Sequence, residues 1–254
     1  MDHTEQDLVV VKLGGSVITE KDRPETLDDP ALSAAADAIA GARDDGDAGR
    51  LAIVHGGGSF GHHQASQYGV TTEYGTHDAA AALSIHGAMT TLNRFVLSRL
   101  HDREVPALPV HPLSMAARDA DGSLSCSLKQ VDAMLAEGFV PVLHGDGVAH
   151  RGEGITVLSG DELVCRLAED LGADRVGVCS SVPGVLDGDG EVIREITAFE
   201  DVADELGDSE STDVSGGMAG KVRELLALSA PAHVFGPDDL SAFLRGASPG
   251  TRID

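Results

Sequence analysis

Two apolar segments that each run directly into glycines constrain the fold of this chain most strongly. Residues 8–13 (LVVVKL) precede Gly-Gly-Ser, and residues 51–55 (LAIVH) precede three glycines in a row. Short apolar runs of this kind predict buried strands, and the glycines predict tight turns where the strands end. In α/β proteins, ligands bind at the carboxyl ends of such strands. The two segments therefore predict both a parallel sheet and the edge at which it binds a ligand.

Strand-like and helix-like segments alternate along the whole chain. Apolar spacing predicts helices at residues 30–43, 79–100, 130–137, 160–171, 217–228 and 238–245. Short apolar runs predict further strands at residues 106–110, 139–143, 155–158, 175–179 and 233–235. Turn sequences at residues 119–124 and 187–190 predict hairpins. Because strands that alternate with helices pair in parallel, we expect the α/β fold class with a mostly parallel sheet.

The length of 254 residues fits one large domain or two closely joined lobes. With 42% apolar residues, the chain can bury a sizeable core without disulfides. We expect a single domain over residues 1–254, with a soft boundary between two lobes near residues 170–174.

The charge balance excludes several classes of partner. The chain has 42 acidic residues against 18 lysines and arginines, a net charge of −24. Nucleic acids and anionic membranes both select a basic face, so we expect neither as a partner. No apolar run approaches the roughly 18 residues of a membrane-spanning helix, and the acidic N-terminus does not resemble a signal peptide. The three cysteines have no C-x-x-C spacing, which fits a reducing compartment, and we expect a cytoplasmic protein.

The high acidity also predicts that the protein works at a high salt concentration. Only four of the 18 basic residues are lysines, and there is no tryptophan. This composition indicates a salt-rich cytoplasm, where the Debye length is about 3 Å at molar salt. The self-repulsion that would destabilise the fold in dilute buffer is then screened.

Three of the four lysines lie in or beside glycine-rich turns. Lys12 stands inside the first apolar strand, where an ammonium group is costly unless it has a partner or a role. Lys21 follows in a polar loop, and Lys221 ends the segment SGGMAGK. A compact ammonium group suits a transferring phosphoryl group as a point charge. We therefore predict a phosphate site that uses these three lysines, and we assign no role to Lys129.

Residues 55–62 (HGGGSFGH) form the most glycine-rich turn. Consecutive glycines let the backbone approach an anion closely and point N–H groups at it, and a helix start would add a favourable dipole. The same glycines fit G-x-G-x-x-G, but residues 69–78 do not look like the strand that a dinucleotide fold needs next. They also fit the G-x-S-x-G elbow of a hydrolase around Ser59, with Asp161 and His233 as the other triad members.

Three weaker signals remain. SGGMAGK lacks the earlier glycine of a P-loop and has Val222 in place of its Ser or Thr. Asp161, at a strand-to-helix junction, is either a helix N-cap or a carboxylate that orients lysines or holds magnesium. Gly145 follows the strand at 139–143 and is another turn at the ligand edge. The eleven histidines show no metal-ligand spacing, and we expect most of them at the surface.

In this order along the chain, the segments resemble the amino acid kinase superfamily, and within it the isopentenyl phosphate kinases. The resemblance rests on KLGGS at 12–16, HGGGSFGH at 55–62, Gly-Asp at 145–146, Ser-Gly-Asp at 159–161 and DVSGGM at 213–218 with Lys221. It covers essentially the whole chain, and SFGH at 59–62 points to the isopentenyl phosphate kinases. Ser215 stands where threonine is expected, and residues 208–211 are a short acidic insertion. Neither departure removes a charge that the chemistry needs.

The resemblance implies an open sheet sandwiched by helices in three layers, with an N-terminal acceptor lobe and a C-terminal ATP lobe. It implies transfer of the ATP γ-phosphoryl group to isopentenyl phosphate, giving isopentenyl diphosphate for an archaeal mevalonate route. Magnesium would bridge the ATP oxygens, and the assembly would be a homodimer. A phosphate monoester has a second pKa of about 6, so this acceptor is already a nucleophile and needs no general base.

The resemblance also implies roles for single residues. Lys12 and Lys221 would contact the transferring and leaving phosphates, and Lys21 would stabilise the transition state. Asp161 would orient the lysines, and His62 would hydrogen-bond the acceptor phosphate. The residues expected to bind ATP are Lys12, Gly14, Gly15, Ser16, Gly57, Asp161, Gly216 and Lys221. Those expected to bind the acceptor are Gly56, Gly61, His62 and Gly145, with amide groups supplied by Gly56 and Gly57.

The acceptor's hydrocarbon tail needs a small apolar pocket. We expect the helix at 79–100 to line it with Ile85 and Met89, unless these two residues face only the core. Other functions stay open: a kinase of the same superfamily for fosfomycin, UMP or a carboxylate, a Ser59 hydrolase, or a non-catalytic nucleotide-binding protein.

Overall fold

The computed structural model describes residues 6–46, 49–206 and 217–254, and within them it contains two sheets. The strands are β1 (Leu8–Leu13), β2 (Arg50–His55), β3 (Ala107–Pro109), β4 (Ala116–Arg118), β5 (Leu124–Cys126), β6 (Val140–His144), β7 (Asp146–His150), β8 (Gly154–Leu158), β9 (Arg175–Cys179), β10 (Glu195–Ile196), β11 (Ala232–Phe235) and β12 (Thr251–Ile253). The helices are α1 (Gly15–Ile18), α2 (Asp29–Asp44), α3 (Gly58–Gln67), α4 (Ala79–His101), α5 (Lys129–Ala136), α6 (Gly160–Leu171), α7 (Ala203–Leu206), α8 (Gly217–Leu226) and α9 (Leu240–Leu244).

The main sheet has eight strands in the order β10-β12-β11-β9-β1-β2-β6-β3. The six strands from β11 to β3 are all parallel, whereas β12 runs antiparallel to β11. This confirms the expected α/β class with a mostly parallel sheet. A smaller sheet, β5-β4-β7-β8, continues the chain from the end of β6.

The period-two alternation of β1 explains why the sheet has helices on both faces. Val9, Val11 and Leu13 pack with apolar residues of α2, α4 and α9. Leu8 and Val10 point the other way and pack with residues of α5, α6 and α8. Three layers result, as expected. The same alternation places Lys12 on the α6 face, although it is a charged residue in an apolar strand.

Several elements differ from the predictions made on sequence. Only Gly145 separates β7 from β6, and β12 has only three residues, so neither gave a separate apolar run. The turn at 119–124 does join an antiparallel pair, β4 and β5. The turn at 187–190 is closed only by an isolated antiparallel bridge between Leu186 and Val192. In the described ranges no helix has both the length and the apolar character needed to cross a membrane.

Candidate active site

One cavity of about 740 Å³ lies where the carboxyl ends of the parallel strands meet the small sheet. The turns after β1, β2, β6, β8 and β9 all contribute to its wall. Its lining includes every predicted site residue that the structure describes: Lys12, Gly14, Gly15, Ser16, Lys21, Gly56, Gly57, Gly61, His62, Gly145, Asp161 and Lys221. Gly216 lies outside the described residues, so its predicted role stays a prediction.

Two lysines from different elements meet at one carboxylate oxygen. The Nζ atom of Lys12, on β1, lies 2.6 Å from Oδ2 of Asp161, in the first turn of α6. The Nζ atom of Lys221, on α8, lies 3.7 Å from the same oxygen. The N-cap of α6 is Ser159, whose side chain accepts the amide of Glu162. Asp161 is therefore not the helix cap, and its carboxylate instead bridges the two lysines.

Burial and charge have opposite effects on the ionisation of Lys12 and Asp161. Burial lowers the pKa of Lys12, and Asp161 counteracts this by attraction. Burial would also favour the neutral form of Asp161, but Lys12 and Lys221 together bring the pKa of its carboxyl below the usual value. Lys12, Asp161 and Lys221 together then carry one net positive charge. Oδ1 of Asp161 is buried without a hydrogen-bond partner among the described residues. The arrangement is suited to an anion in the cavity.

The first two glycine turns contact each other through their backbones. A side chain at Gly56 would place its Cβ atom 2.6 Å from the amide nitrogen of Gly15, and one at Gly15 would overlap the backbone of Gly58. Gly58 also has a φ of +49°, which favours glycine. Close backbone packing therefore requires glycine at these positions, whether or not they bind a ligand. The sequence alone could not distinguish these two reasons.

Not all of the glycine amides can donate to a ligand. The amide of Gly56 donates to the carbonyl of Leu13 at 3.0 Å, because it extends the ladder between β1 and β2. The amides of Gly14, Gly61 and Gly145 also donate to backbone carbonyls, those of Cys179, Gly57 and His55. The predicted donation of the Gly56 amide to a phosphate is therefore wrong in this geometry. Gly57 is different, because it is the N-cap of α3, where first-turn amides have no intrahelical acceptor.

Two further predicted site residues in the cavity wall are exposed to solvent. His62 is exposed on α3, and its ring lies against the glycine turn, within 3.3 Å of where a Cβ atom at Gly57 would be. Lys21 is exposed in the loop after α1. Both side chains belong to the cavity wall and are accessible to solvent.

The other end of the cavity is apolar. Ile85 and Met89 of α4 line it, together with Ala65 and Val157. Ile85 also packs in a small cluster with Ala65 and Val157, apart from the two main cores. Gly61 makes room for Met89, since a Cβ atom at Gly61 would lie 2.5 Å from the Met89 sulfur. The predicted apolar lining by α4 is present, and both α4 side chains are almost fully buried in it.

The structure excludes two alternative interpretations of the glycine turn. The hydroxyl group of Ser59 donates to the carbonyl of Thr26 and accepts its amide, each at 3.2 Å. His233, on β11, packs against Phe243, and Asp161 is bound to lysines, so no triad forms. Residues 69–78 contain no strand, only a bridge at Thr76, so the dinucleotide-binding pattern also fails.

Sequence analysis missed a group of buried histidines behind the cavity. His55 and His144 are fully buried at the ends of β2 and β6, whereas most histidines were expected at the surface. His86 donates from Nδ1 to Asp146, which lines the cavity, at 2.8 Å. This pairing raises the pKa of His86, against a smaller opposing effect of burial. One feature of the sequence could have indicated this burial: two of the histidines end apolar strands, and each is followed by glycine.

Comparisons with known proteins agree with this geometry. A model of the amino acid kinase family matches residues 7–235. An isopentenyl phosphate kinase of Haloferax volcanii is 63% identical over 97% of this chain and 98% of its own. One of Methanothermobacter thermautotrophicus is 33% identical, with 87% of each chain covered. Among solved structures, an isopentenyl phosphate kinase with 28% identity superposes with a TM-score of 0.83 over 97% of this chain and 100% of the other.

Proposed function

Because the chain belongs to the amino acid kinase family, and within it to the isopentenyl phosphate kinases, we propose that it transfers the γ-phosphoryl group of ATP to isopentenyl phosphate. The observation that carries this proposal is the two-ended cavity. One end has two lysines that share one carboxylate oxygen, and the other is lined by Ile85 and Met89. A phosphate monoester with a short branched hydrocarbon tail matches both ends.

The residues of the charged end can promote the transfer without a general base. The acceptor phosphate is anionic near neutral pH and can attack the γ-phosphorus itself. Catalysis then consists of aligning two anions and neutralising the charge that spreads over the transferring group. In this proposal Lys12 and Lys221 contact the transferring and leaving phosphates, and Asp161 holds both ammonium groups in place. Lys21 approaches from the solvent side, and His62 hydrogen-bonds the acceptor phosphate.

ATP and magnesium fit the residues at this end of the cavity. The glycine turns leave room for phosphates close to the backbone, and the lysines carry the opposite charge. No group of three or more metal-ligating side chains occurs among the described residues, so we propose that phosphate oxygens supply most ligands of the ion. Bound magnesium supplies neutralisation of phosphate charge. The buried Oδ1 of Asp161 is the carboxylate oxygen that is free to face it.

The wider setting is part of the same proposal. Isopentenyl diphosphate would enter an archaeal mevalonate pathway, in a salt-rich cytoplasm. We propose an acceptor lobe up to about residue 170 and an ATP lobe after it. The apolar end, lined by Ile85 and Met89, belongs to the first part and Lys221 to the second, which supports this division. A homodimer is the proposed assembly.

Release of ADP from Mg-ATP in molar KCl tests the proposal. The acceptors are isopentenyl phosphate, dimethylallyl phosphate, fosfomycin, UMP and N-acetylglutamate, and EDTA provides the metal-free control. We expect a strong preference for isopentenyl phosphate. Lys221→Ala should lose about 10²–10³ in kcat, the size of a lost preorganised donor, whereas Lys129→Ala, which changes an exposed lysine on α5, should not. Preference for another acceptor would overturn the proposed substrate.

A further inference from the structure

Two buried histidines stack behind the glycine turns of the cavity. His55 ends β2, His144 ends β6, and the two residues are partners in the parallel register. Their ring centroids are 5.4 Å apart with an interplanar angle of 28°. Both side chains are fully buried, and neither is part of the cavity wall. The proposed phosphoryl transfer gives them no role, yet a buried imidazole pair is expensive unless its polar atoms are satisfied.

Each ring holds the carbonyl group of the glycine that follows it. Nδ1 of His55 lies 3.1 Å from the carbonyl oxygen of Gly56, and Nδ1 of His144 lies 2.9 Å from that of Gly145. A carbonyl oxygen can only accept, so Nδ1 must carry the proton in both rings. In the neutral form, Nε2 of each ring is then an acceptor and needs a donor of its own.

Both rings have a neighbour that can supply that donor. Nδ1 of His111 lies 2.9 Å from Nε2 of His144. Oδ1 of the Asn93 side-chain amide, on α4, lies 3.3 Å from Nε2 of His55, whereas Nδ2 of the same amide is buried without a partner among the described residues. A half-turn of the amide group exchanges these two atoms and brings the Nδ2 donor to the ring. With the amide nitrogen of Asn93 turned toward the ring, both buried groups are satisfied. The two neighbours therefore fix the same unusual tautomer in the two rings.

The planar peptide group transmits this contact to the cavity. All peptide bonds in the described residues are trans, so the carbonyl of one residue and the amide of the next point in opposite directions. A Gly56 carbonyl turned back onto His55 therefore turns the Gly57 amide forward. Gly57 lines the cavity, and its amide is at the start of α3, where it has no intrahelical acceptor and can donate to a ligand.

We propose that His55 and His144 are positioning residues, each holding the carbonyl oxygen of the following glycine away from the bound phosphate groups. At the first turn the same contact aims the amide of Gly57 at a phosphate. A carbonyl oxygen directed at a phosphate would repel it. The two contacts from a histidine Nδ1 to a glycine carbonyl oxygen, here called the clamp, therefore turn two unfavourable dipoles away from the phosphates and supply one favourable donor. The kinetic test of this inference rests on the proposed function, whereas its spectroscopic test does not.

Burial keeps the clamp intact across the working pH range. It lowers the pKa of His55 to about 4 and that of His144 well below its usual value. The other charged or titratable groups around the pair are His86, His111 and Asp146. Neutral rings can serve as donors at Nδ1 and acceptors at Nε2 at the same time, which the arrangement requires.

Substitution by two side chains of nearly equal shape separates the hydrogen bond from the packing. Asparagine can place an amide N–H near the position of Nδ1, whereas leucine has the same size and no donor. We expect His55→Leu to have a kcat/KM about 10- to 100-fold below that of His55→Asn, the range expected for misplaced reacting groups. His144→Leu and His144→Asn should differ in the same direction. The exposed His77, changed to the same two residues, is the control and should show no difference.

Equal kcat/KM for the Leu and Asn variants, in protein shown by urea unfolding to be equally folded, would overturn the proposal. Nitrogen-15 NMR of the histidine rings in the wild-type protein tests it without relying on activity. We expect the rings of His55 and His144 to be neutral with the proton on Nδ1, their signals identified by their disappearance in folded His55→Asn and His144→Asn. Protons on Nε2 in these rings would contradict the clamp. A wild type that fails to phosphorylate isopentenyl phosphate but shows the Nδ1 tautomers would contradict the proposed function alone.

Discussion

At the residue scale, burial and charge act on Lys12 in opposite directions. Its place on β1 buries it, and burial lowers its pKa, while the carboxylate of Asp161 counteracts that effect. The charge that the proposed reaction uses is therefore maintained mainly by Asp161, with a smaller contribution from Glu224. Removing one member of a buried ion pair costs about 3–5 kcal/mol in general, because it leaves a charge without compensation. The protein can relieve that cost by releasing the proton of Lys12.

This balance predicts a shifted pH profile for Asp161→Asn. Activity needs protonated Lys12, so it falls as the pH rises through the pKa of that group. Without the influence of Asp161 that raises this pKa, the fall should occur at lower pH. The measurement is kcat/KM against pH for both substrates. Glu169→Gln, which changes an exposed carboxylate of the same helix, is the control. An unchanged alkaline limb in Asp161→Asn would show that Lys12 does not depend on this carboxylate.

A second residue-scale prediction concerns His62. Its side chain is exposed and lies beside Gly57 in the cavity wall, on the side that we propose for the acceptor. We expect His62→Ala to raise the KM for isopentenyl phosphate much more than the KM for ATP. The exposed His77→Ala serves as the control. Equal increases in both KM values would remove His62 from acceptor recognition.

The sequence indicated the charged residues of the site, but it did not show how the backbone amides and buried side chains around them are hydrogen-bonded. Lysines are scarce in this chain, so three of them beside glycines stood out, and all three line the cavity. The sequence could not show that the Gly56 amide is used by the sheet, since that depends on the pairing of β1 with β2. The partners of the buried histidines, such as Asn93, come from distant elements and left no local pattern.

At the scale of elements, the two glycine turns and α4 form the cavity between them. The turns after β1 and β2 pack backbone against backbone, and α4 closes the apolar end. Strands with long apolar runs could be predicted from sequence. The short strands β10 and β12 could not, because two or three residues with polar members become strands only through pairing with each other and with β11.

The position of α4 predicts which residues limit the length of the acceptor's tail. Ile85 and Met89 line the apolar end, so their replacement by glycine should open space beyond a five-carbon chain. We expect Ile85→Gly or Met89→Gly to raise kcat/KM for longer prenyl phosphates relative to isopentenyl phosphate. Leu83→Gly, in which an exposed residue of the same helix is changed, controls for the effect of glycine in a helix. Unchanged selectivity in both variants would place the tail elsewhere.

At the scale of the whole molecule, the net charge of −24 sets the conditions under which the fold is stable. Exposed ion pairs such as Arg245 with Asp45 bring opposite charges together, but such pairs contribute about 0–1 kcal/mol each. The surplus of acidic residues has no such partners and repels itself. Salt weakens the attraction within ion pairs, which lowers stability, and it weakens the repulsion among acidic residues, which raises stability. The dependence of stability on salt therefore shows which of the two effects dominates.

We expect repulsion to dominate. The melting temperature followed by circular dichroism should rise between about 0.1 M and about 1 M KCl, as the Debye length falls from about 10 Å to about 3 Å. A melting temperature that is unchanged or lower in molar KCl would contradict the view that this chain is adapted to salt.

The central claim is that the acceptor phosphate itself attacks ATP in the two-ended cavity. Phosphorus-31 NMR of Mg-ATP with isopentenyl phosphate tests it most directly, because it identifies the bond that forms. We predict that the signal of the monophosphate is replaced by the two coupled signals of a diphosphate ester, in equal amount to the ADP produced. Formation of ADP with inorganic phosphate, and an unchanged isopentenyl phosphate signal, would contradict the claim.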